Sequence, residues 1–455
     1  RALFHLDNAY FIPNLRFRGQ VCRTNLPSNT AFRGFGGPQG VLVIEEVLNR
    51  AADRLGMDPA LLRKLNFYGE GNGIDTPYGQ QLDEIRLERL WSEIMESSDY
   101  IRRREDIDHF NTQNPYIKKG IGFQPIKFGI SFTASLLNQA GALLLVYADG
   151  SVQLNHGGTE MGQGLHTKMR AICANTLGIE CAQIRVMRTS TEKVPNTSPT
   201  AASSGSDLNG QAVRLACETL KERMRPVALG LLGITEDTPC RFEDGEVFAA
   251  SNPNNRIAFS EVAKMCWVQR VSLSATGFYA TPGIAYDRDA GRGTPFFYFA
   301  YGASVVEVEV NTLTGEHRLT RADVLHDVGN PLIPDIDRGQ VEGAFVQGLG
   351  WVTCEEVLYA EDGRLLTHGP STYKIPAAGD IPIDFHVQLL DRAPQPGVIG
   401  NSKAVGEPPF IHGISVLTAL RHAISSATTD EVSLAVPATP EAILRALEGQ
   451  PPLSA

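Results

Sequence analysis

The sequence predicts an α+β fold with mixed sheets, and three observations carry that expectation. Apolar runs around short turn sequences mark two β-hairpins, Leu143–Tyr147 with Val152–Leu154 across Asp149-Gly150, and Val305–Val310 with Arg318–Val324 across Thr314-Gly315. Segments with apolar residues at helical spacing lie between and after them. In both places a hairpin is followed by a loop rich in Gly or Asn and then by a helix, a loose internal duplication at no fixed short period.

From the N-terminus, the glycine cluster Gly34–Gly37 leads into a helix over 40–56, whose apolar positions are Val43, Ile44, Val47, Leu48, Ala51, Ala52 and Leu55. A second helix is expected over 59–69, an exposed connection from Gly69 to Gln81, and one charged helix from about 83 to 112. The first hairpin ends at His156 and runs into Gly157–Gly164, followed by a helix over 164–177, a strand near 183–188 and a polar stretch from Thr189 to Ser206. The next helix, 209–227, has Val213, Leu215, Ala216, Leu220 and Met224 as its apolar face. The second hairpin leaves through Asp327-Val328-Gly329-Asn330 to a helix over 338–350, and helices over 410–426 and 440–448 close the chain.

With 455 residues, 42% hydrophobic and 20% charged, the composition is that of a soluble globular protein large enough for two or more domains. A net charge of −10 with no basic run argues against a nucleic acid or an anionic membrane surface and points to a small-molecule substrate. The seven cysteines (22, 173, 181, 217, 240, 266 and 354) are scattered and form no Cys-x-x-Cys pair, so they read as reduced thiols and not as a disulfide, iron–sulfur or zinc framework. There is no apolar run of membrane-spanning length and no signal-peptide pattern, so a cytoplasmic location is expected. The chain starts without Met, at Arg1-Ala2-Leu3-Phe4-His5, which reads as the middle of a helix and suggests a piece of a longer polypeptide.

The chemistry concentrates in few places. Glu407 lies between Gly406 and Pro408-Pro409 in an apolar stretch, where the prolines stiffen the backbone and remove donors. A carboxylate held so is a candidate general base, although the same local sequence fits a surface glutamate ahead of a Pro-Pro turn. Glycine-bearing loops at 34–37, 157–164 and 205–210 each precede a helix, where free N–H groups bind oxyanions. None carries a Walker or Rossmann pattern. Gln163, between two glycines, offers an amide that donates and accepts. Phe35 and Phe132 stand near glycines and either pack into the core or present a ring face to a flat ligand. His156, His166 and His326 lack metal-ligand spacing and read as hydrogen-bonded structural residues.

Eight segments, taken together and in collinear order over nearly the whole chain, resemble the molybdenum-binding portion of the xanthine dehydrogenase/oxidase family of molybdenum hydroxylases. They are Arg1–His5, Thr24–Gln39, Lys127–Thr133, Gly157–Gly164, Ser198–Ala202, Val341–Gly350, Gly369–Pro376 and Lys403–Pro409. The resemblance implies molybdopterin-binding domains, with the C-terminal part of a first one over 1–75 and a second over 76–455. A molybdenum–molybdopterin cofactor would bring its own sulfur ligands, consistent with the missing Cys and His ligand pattern. It implies hydroxylation of a purine carbon, hypoxanthine to xanthine and xanthine to urate, with oxygen from water and electrons passed to 2Fe-2S clusters and FAD on other segments or subunits of the same enzyme, which is expected to be an oligomer.

By the same resemblance Glu407 is the base, and Arg1 faces the purine oxygen and stabilises charge on the ring. Phe35 and Phe132 match the rings that sandwich the purine, Thr133 a hydroxyl that bonds it, and Ala201 a substrate neighbour. Phe32, Arg33, Ala202 and Ser203 match loops around the cofactor, Arg33 and Ala202 near the metal without ligating it, while Gly162, Gln163 and Gln347 match pterin contacts. The family pattern also has a glycine loop with a second glutamate, and another glutamine, upstream of Arg1, so partner segments are expected to complete the site and to anchor Arg1. An aldehyde oxidase of the same superfamily, or a non-catalytic molybdopterin-binding protein, is the alternative reading.

Overall fold

The computed structural model describes residues 1–451 apart from 70, 195, 202 and 236. Ala202, matched above to the metal's surroundings, lies outside the described residues. Eight strands build two mixed sheets: β1 (Ile117–Ile130), β2 (Gln139–Val146), β3 (Val152–His156), β4 (Ile184–Val186), β5 (Ser274–Ala280), β6 (Tyr298–Asn311), β7 (His317–His326) and β8 (Asp384–Leu389). The first sheet has the order β4-β3-β2-β5 and the second β1-β6-β7-β8.

The two sheets share one plan. Each is centred on an antiparallel hairpin, β2–β3 or β6–β7, with an antiparallel outer strand on one side (β5 or β1) and a parallel strand on the other (β4 or β8). The helices are α1 (Gly37–Leu55), α2 (Pro59–Leu65), α3 (Leu87–Ser98), α4 (Tyr100–Gln113), α5 (Leu165–Leu177), α6 (Gly205–Leu231), α7 (Phe259–Val268), α8 (Pro334–Thr353), α9 (Ile414–Ser425) and α10 (Pro440–Leu447). After each hairpin come a helix (α5 or α8), the parallel strand, and a second helix (α6 or α9) that lies across the outer strand. That last contact is backbone to backbone: a Cβ on Gly277 would stand 2.0 Å from the Ala212 carbonyl of α6, and one on Gly120 1.9 Å from the Ala419 carbonyl of α9. Only glycine lets helix and strand approach so closely.

Several elements depart from expectation. The charged stretch is two helices, because Asp99 adopts φ 52 and ends α3 before α4 begins. The second helix stops at Leu65. The connection from Gly69 to Gln81 is not uniformly exposed: Thr76, Tyr78 and Gln80 are buried, and the Gln80 amide bonds both the carbonyl and the N–H of Phe296. The long β1 has no counterpart in the expectation, since burial on both faces erases alternation and its Lys118 and Lys127 are buried. A small antiparallel sheet (Cys240–Glu243, Glu246–Ala249, Arg256–Ala258) and α7 sit between α6 and β5.

Residues 1–68 do not form a separate core. Tyr10, Ile44, Leu48, Phe67 and Tyr68 pack in one cluster with Leu87, Leu90, Phe123 and Phe299. One buried ion pair crosses that junction, Lys127 with Asp7 at 2.8 Å, and another, Arg63 with Glu45 at 2.7 Å, lies within residues 1–68. Among the described residues no helix is long and apolar enough to cross a membrane.

Candidate active site

The short 3-10 turn Ala2–His5 carries Arg1 at its N-terminal edge, packed against the start of α1 and the end of β1. The Arg1 guanidinium donates to the carbonyls of Ser131 (2.5 Å) and Gly129 (2.6 Å) and lies over the rings of Phe128 and Phe296, 4.9 and 5.2 Å from their centroids. It is therefore held by this chain, contrary to the expectation that a further segment must anchor it. Burial lowers its pKa, with the charge of Glu407 as the chief opposing influence.

Gly34, Phe35 and Gly36 run at φ 89, 51 and 91 before α1 begins. A phenylalanine in the left-handed region is strained, and its ring stands partly in the open: Phe35 is 49% exposed although it is a large apolar side chain. Ser131, at φ 148, ends β1 and turns the chain into Phe132. Arg1, Phe35, Ser131, Phe132, Ala201, Ser203, Ser204 and Glu407 line one cleft of about 280 Å³.

Glu407 stands at the N-terminal edge of the 3-10 helix Pro408–Gly413 and is buried. Its carboxylate accepts from the Gly34 N–H at 3.3 Å and from the Ser203 hydroxyl. The loop leading to it is fastened at several points. Arg33 donates through Nε to the Gly406 carbonyl at 2.6 Å, through NH1 to Gln347 Oε1 at 3.1 Å, and through NH2 to Gln340 Oε1 at 3.2 Å. Lys403 pairs with Asp327 at 2.6 Å, both fully buried. A surface-loop reading of Glu407 does not survive this geometry.

A second, more polar cleft of about 360 Å³ adjoins the first, sharing Ser203; Gln163, Lys168, Ser206, Asp337, Gln340, Ser402, Lys403 and Gly406 also line it. Beside it the 157–164 loop differs from the expected anion cradle. The Glu160 carboxylate takes the N–H groups of Gly162, Gly164 and His166 at 2.9–3.0 Å, so the start of α5 already has an anion. Likewise the Gly34 N–H in the first glycine loop serves Glu407. Gln163 folds its own loop, Oε1 accepting from Met161 N–H and Nε2 donating to the Thr159 carbonyl. One donor and one lone pair of that amide stay free for a ligand.

Of the residues singled out from the sequence, Arg1, Phe35, Phe132, Ala201, Ser203 and Glu407 meet in the aromatic cleft, and Gln163 and Ser203 in the polar one. Arg33 and Gln347 bond each other at the Glu407 loop. Phe32 packs edge-on against Phe410 at 5.4 Å, Gly162 borders open space, and Thr133 follows Phe132 without lining either cleft. Sequence reasoning missed Ser131, Ser204 and Gln340, as well as Phe128 and Phe296, which seat Arg1. Ser131 and Phe128 lay inside a segment already singled out; Phe296 had no local signal.

One cleft thus gathers a carboxylate, a fixed guanidinium and two aromatic rings, and it adjoins a polar trough of amides, hydroxyls and lysines, shapes and polarities that suit a flat ligand beside a polar, hydrogen-bonding one. The trough's donor set of Gln163, Gln340, Ser203, Ser206 and Ser402 suits a pterin, whose ring edge needs both donors and acceptors, while the unpartnered buried hydroxyl of Ser204 faces the aromatic cleft instead. Among the described residues no group of three or more His, Cys, Asp or Glu side chains converges.

The chain belongs to the molybdopterin cofactor-binding domain family, whose two domain models match residues 93–382 and 1–67. It is 48% identical over 451 residues to the xanthine dehydrogenase of Dictyostelium discoideum, covering 97% of this chain and 31% of that protein. It is also 48% identical over 458 residues to the xanthine dehydrogenase/oxidase of Felis catus, covering 99% and 32%. The chain thus spans about a third of the length of these relatives. Among solved structures, the aldehyde oxidoreductase of Desulfovibrio desulfuricans superposes with a TM-score of 0.79 at 25% identity, over 98% of this chain and 44% of that one. Quinoline 2-oxidoreductase of Pseudomonas putida 86 shares the fold, with a TM-score of 0.79 at 24% identity over 92% of this chain and 53% of that one.

Proposed function

We propose that this chain forms the substrate and molybdopterin site of a xanthine dehydrogenase or oxidase that converts hypoxanthine to xanthine and xanthine to urate. The observation that carries the reading is the shared cleft of Glu407, Arg1, Phe35 and Phe132. When bound, the molybdenum cofactor supplies the two-electron oxidation of the purine carbon. Gln163, Gln340, Ser203 and Gln347 would hold it, with Arg33 close to it.

Within the cleft, Phe35 and Phe132 bind the flat purine by its faces, and Thr133 and Ala201 border it. Glu407 takes the proton of the water-derived nucleophile at a carboxylate oxygen, steered by the Ser203 hydroxyl and the Gly34 N–H. Arg1, its guanidinium braced by two carbonyls, faces the negative charge that builds on the ring. Burial of these groups excludes water and strengthens each interaction. We further assign residues 1–75 to the C-terminal part of a first cofactor domain and 76–455 to a second. The 2Fe-2S clusters and FAD sit on other segments of the same enzyme, a cytoplasmic oligomer.

In the intact enzyme, Glu407→Gln is expected to lower turnover of xanthine about 10²- to 10⁴-fold while molybdenum content is unchanged. Turnover above half of wild type with full molybdenum would discard the base, whereas a molybdenum-loaded wild-type enzyme that oxidises neither a purine nor an aldehyde would favour a non-catalytic molybdopterin-binding protein. The similarity to an aldehyde oxidoreductase fold keeps a second substrate class in view. Arg1→Met separates the two: loss of kcat/KM for xanthine well beyond that for an aromatic aldehyde supports the purine reading, and equal losses refute the Arg1 contact.

A further inference from the structure

Two links tie the start of α6 and the turn just before it to the loop that carries Glu407. One is direct, from the Ser203 hydroxyl to the Glu407 carboxylate. The other passes through a phenol: Tyr298 donates its hydroxyl proton to Asp207 Oδ2 at 2.7 Å, and the Tyr298 hydroxyl oxygen accepts from the Ala404 N–H at 2.7 Å. Residues 203 and 207 lie about one helical turn apart, and residues 404 and 407 bracket the loop, so the links clamp it at both ends.

The carboxylate has a specific job in that arrangement. A phenol hydroxyl has a single proton and can rotate it. By accepting that proton, Asp207 commits the Tyr298 lone pair to the Ala404 N–H. Asp207, Tyr298 and Ala404 are all buried, and burial raises the Asp207 carboxyl to about 7 against the opposing Tyr298 hydrogen bond and Lys168 charge. A site that required only packing would hold an apolar side chain more cheaply. Asp207 Oδ1 has no protein partner, and the residue lines a cleft of about 300 Å³ that shares Ser131 and Ser204 with the aromatic cleft. It borders the substrate cleft without reaching it.

The geometry points to Asp207 and Tyr298 as positioning residues that hold the Ala404–Glu407 loop in register for proton transfer, a role that rests on Glu407 being the base. In the intact, molybdenum-loaded enzyme, Tyr298→Phe and Asp207→Ala are expected to lower kcat per bound molybdenum about ten- to hundredfold, with KM within about threefold. Both are also expected to speed hydrogen–deuterium exchange at the amides of 404–407. Asp207→Asn keeps an acceptor for the hydroxyl and is expected to bring both readouts back to within about threefold of wild type. Should Asp207→Ala fail to fold, Tyr298→Phe decides alone.

Unchanged exchange at 404–407 in Tyr298→Phe overturns the proposal. So does a fall in activity fully accounted for by lost molybdenum, or an Asp207→Asn enzyme as impaired as Asp207→Ala. Faster exchange with kcat unchanged overturns the positioning role while an inactive Glu407→Gln still stands for the base; an active Glu407→Gln overturns the base assignment itself, whatever exchange shows.

Discussion

In the first sheet the hairpin β2–β3 ends at His156, in the second β6–β7 ends at His326, and each imidazole meets another, His166 at 2.9 Å and His412 at 3.1 Å. Beyond these matched ends the two halves diverge. The loop after His156 is exposed over 159–162 and is folded by its own Glu160, whereas the loop after His326 begins buried over 327–329, where the Asp327–Lys403 pair fixes it. One plan thus yields an open loop that borders the polar cleft and a closed one that fixes the approach to Glu407. The halves are also joined helix to helix, Lys168 of α5 pairing with Asp337 of α8 at 2.5 Å.

The sharpest way to break this contrast is to remove one lysine from each half. Lys403→Met strands Asp327 in a fully buried site and is expected to cost about 3–5 kcal/mol in urea unfolding. Lys168→Met, whose pair retains slight exposure beside the polar cleft, is expected to cost clearly less. Equal losses would mean that the pair joining the halves is as sealed from water as the pair behind His326.

The shared plan itself is tested at its glycines. Gly120→Ala and Gly277→Ala each drive a methyl against a helix carbonyl and are expected to destabilise by about 1–3 kcal/mol each, nearly equally. A large asymmetry would show that the two helix–strand contacts are not equivalent.

The smallest expected effect is in pH dependence. Burial lowers His156 to about 4 and His326 to about 3, each with a neighbouring cation or histidine adding to it. Both are neutral in the folded chain and charge first in the unfolded one, so stability falls as pH drops below about 6.5, continuing to about 4 for His156 and about 3 for His326. Between pH 7 and 5 each should cost on the order of 1–2 kcal/mol. Asp207 has the opposite sign: its raised pKa makes stability fall as pH rises from about 4 to about 7. Denaturant midpoints of His326→Gln and Asp207→Asn across this range should flatten opposite limbs.

Much of this was legible in the chain, because turn chemistry and apolar period are local. Asp149-Gly150 and Thr314-Gly315 marked both hairpins, and the repeated order of hairpin, loop and helix suggested an internal duplication, though not the strand order that the two sheets share. Features decided by distant partners were not legible. In β1 two-sided burial removed the alternation, and Asp99 broke a helix through its backbone angle alone. Glu160 was visible within its glycine run, but the inward turn of its carboxylate depends on three N–H groups that only the folded loop presents. Asp207 and Tyr298 are 91 residues apart, so no local pattern pairs them.

The hydrogen bond between Ser203 and Glu407 joins the segment before α6 to the segment before α9, that is, the matching corners of the two sheets. It therefore acts as a gauge. A swollen side chain deep in either half, far from any ligand, would tilt one corner relative to the other and be felt first as a misaligned proton, before any loss of fold became measurable.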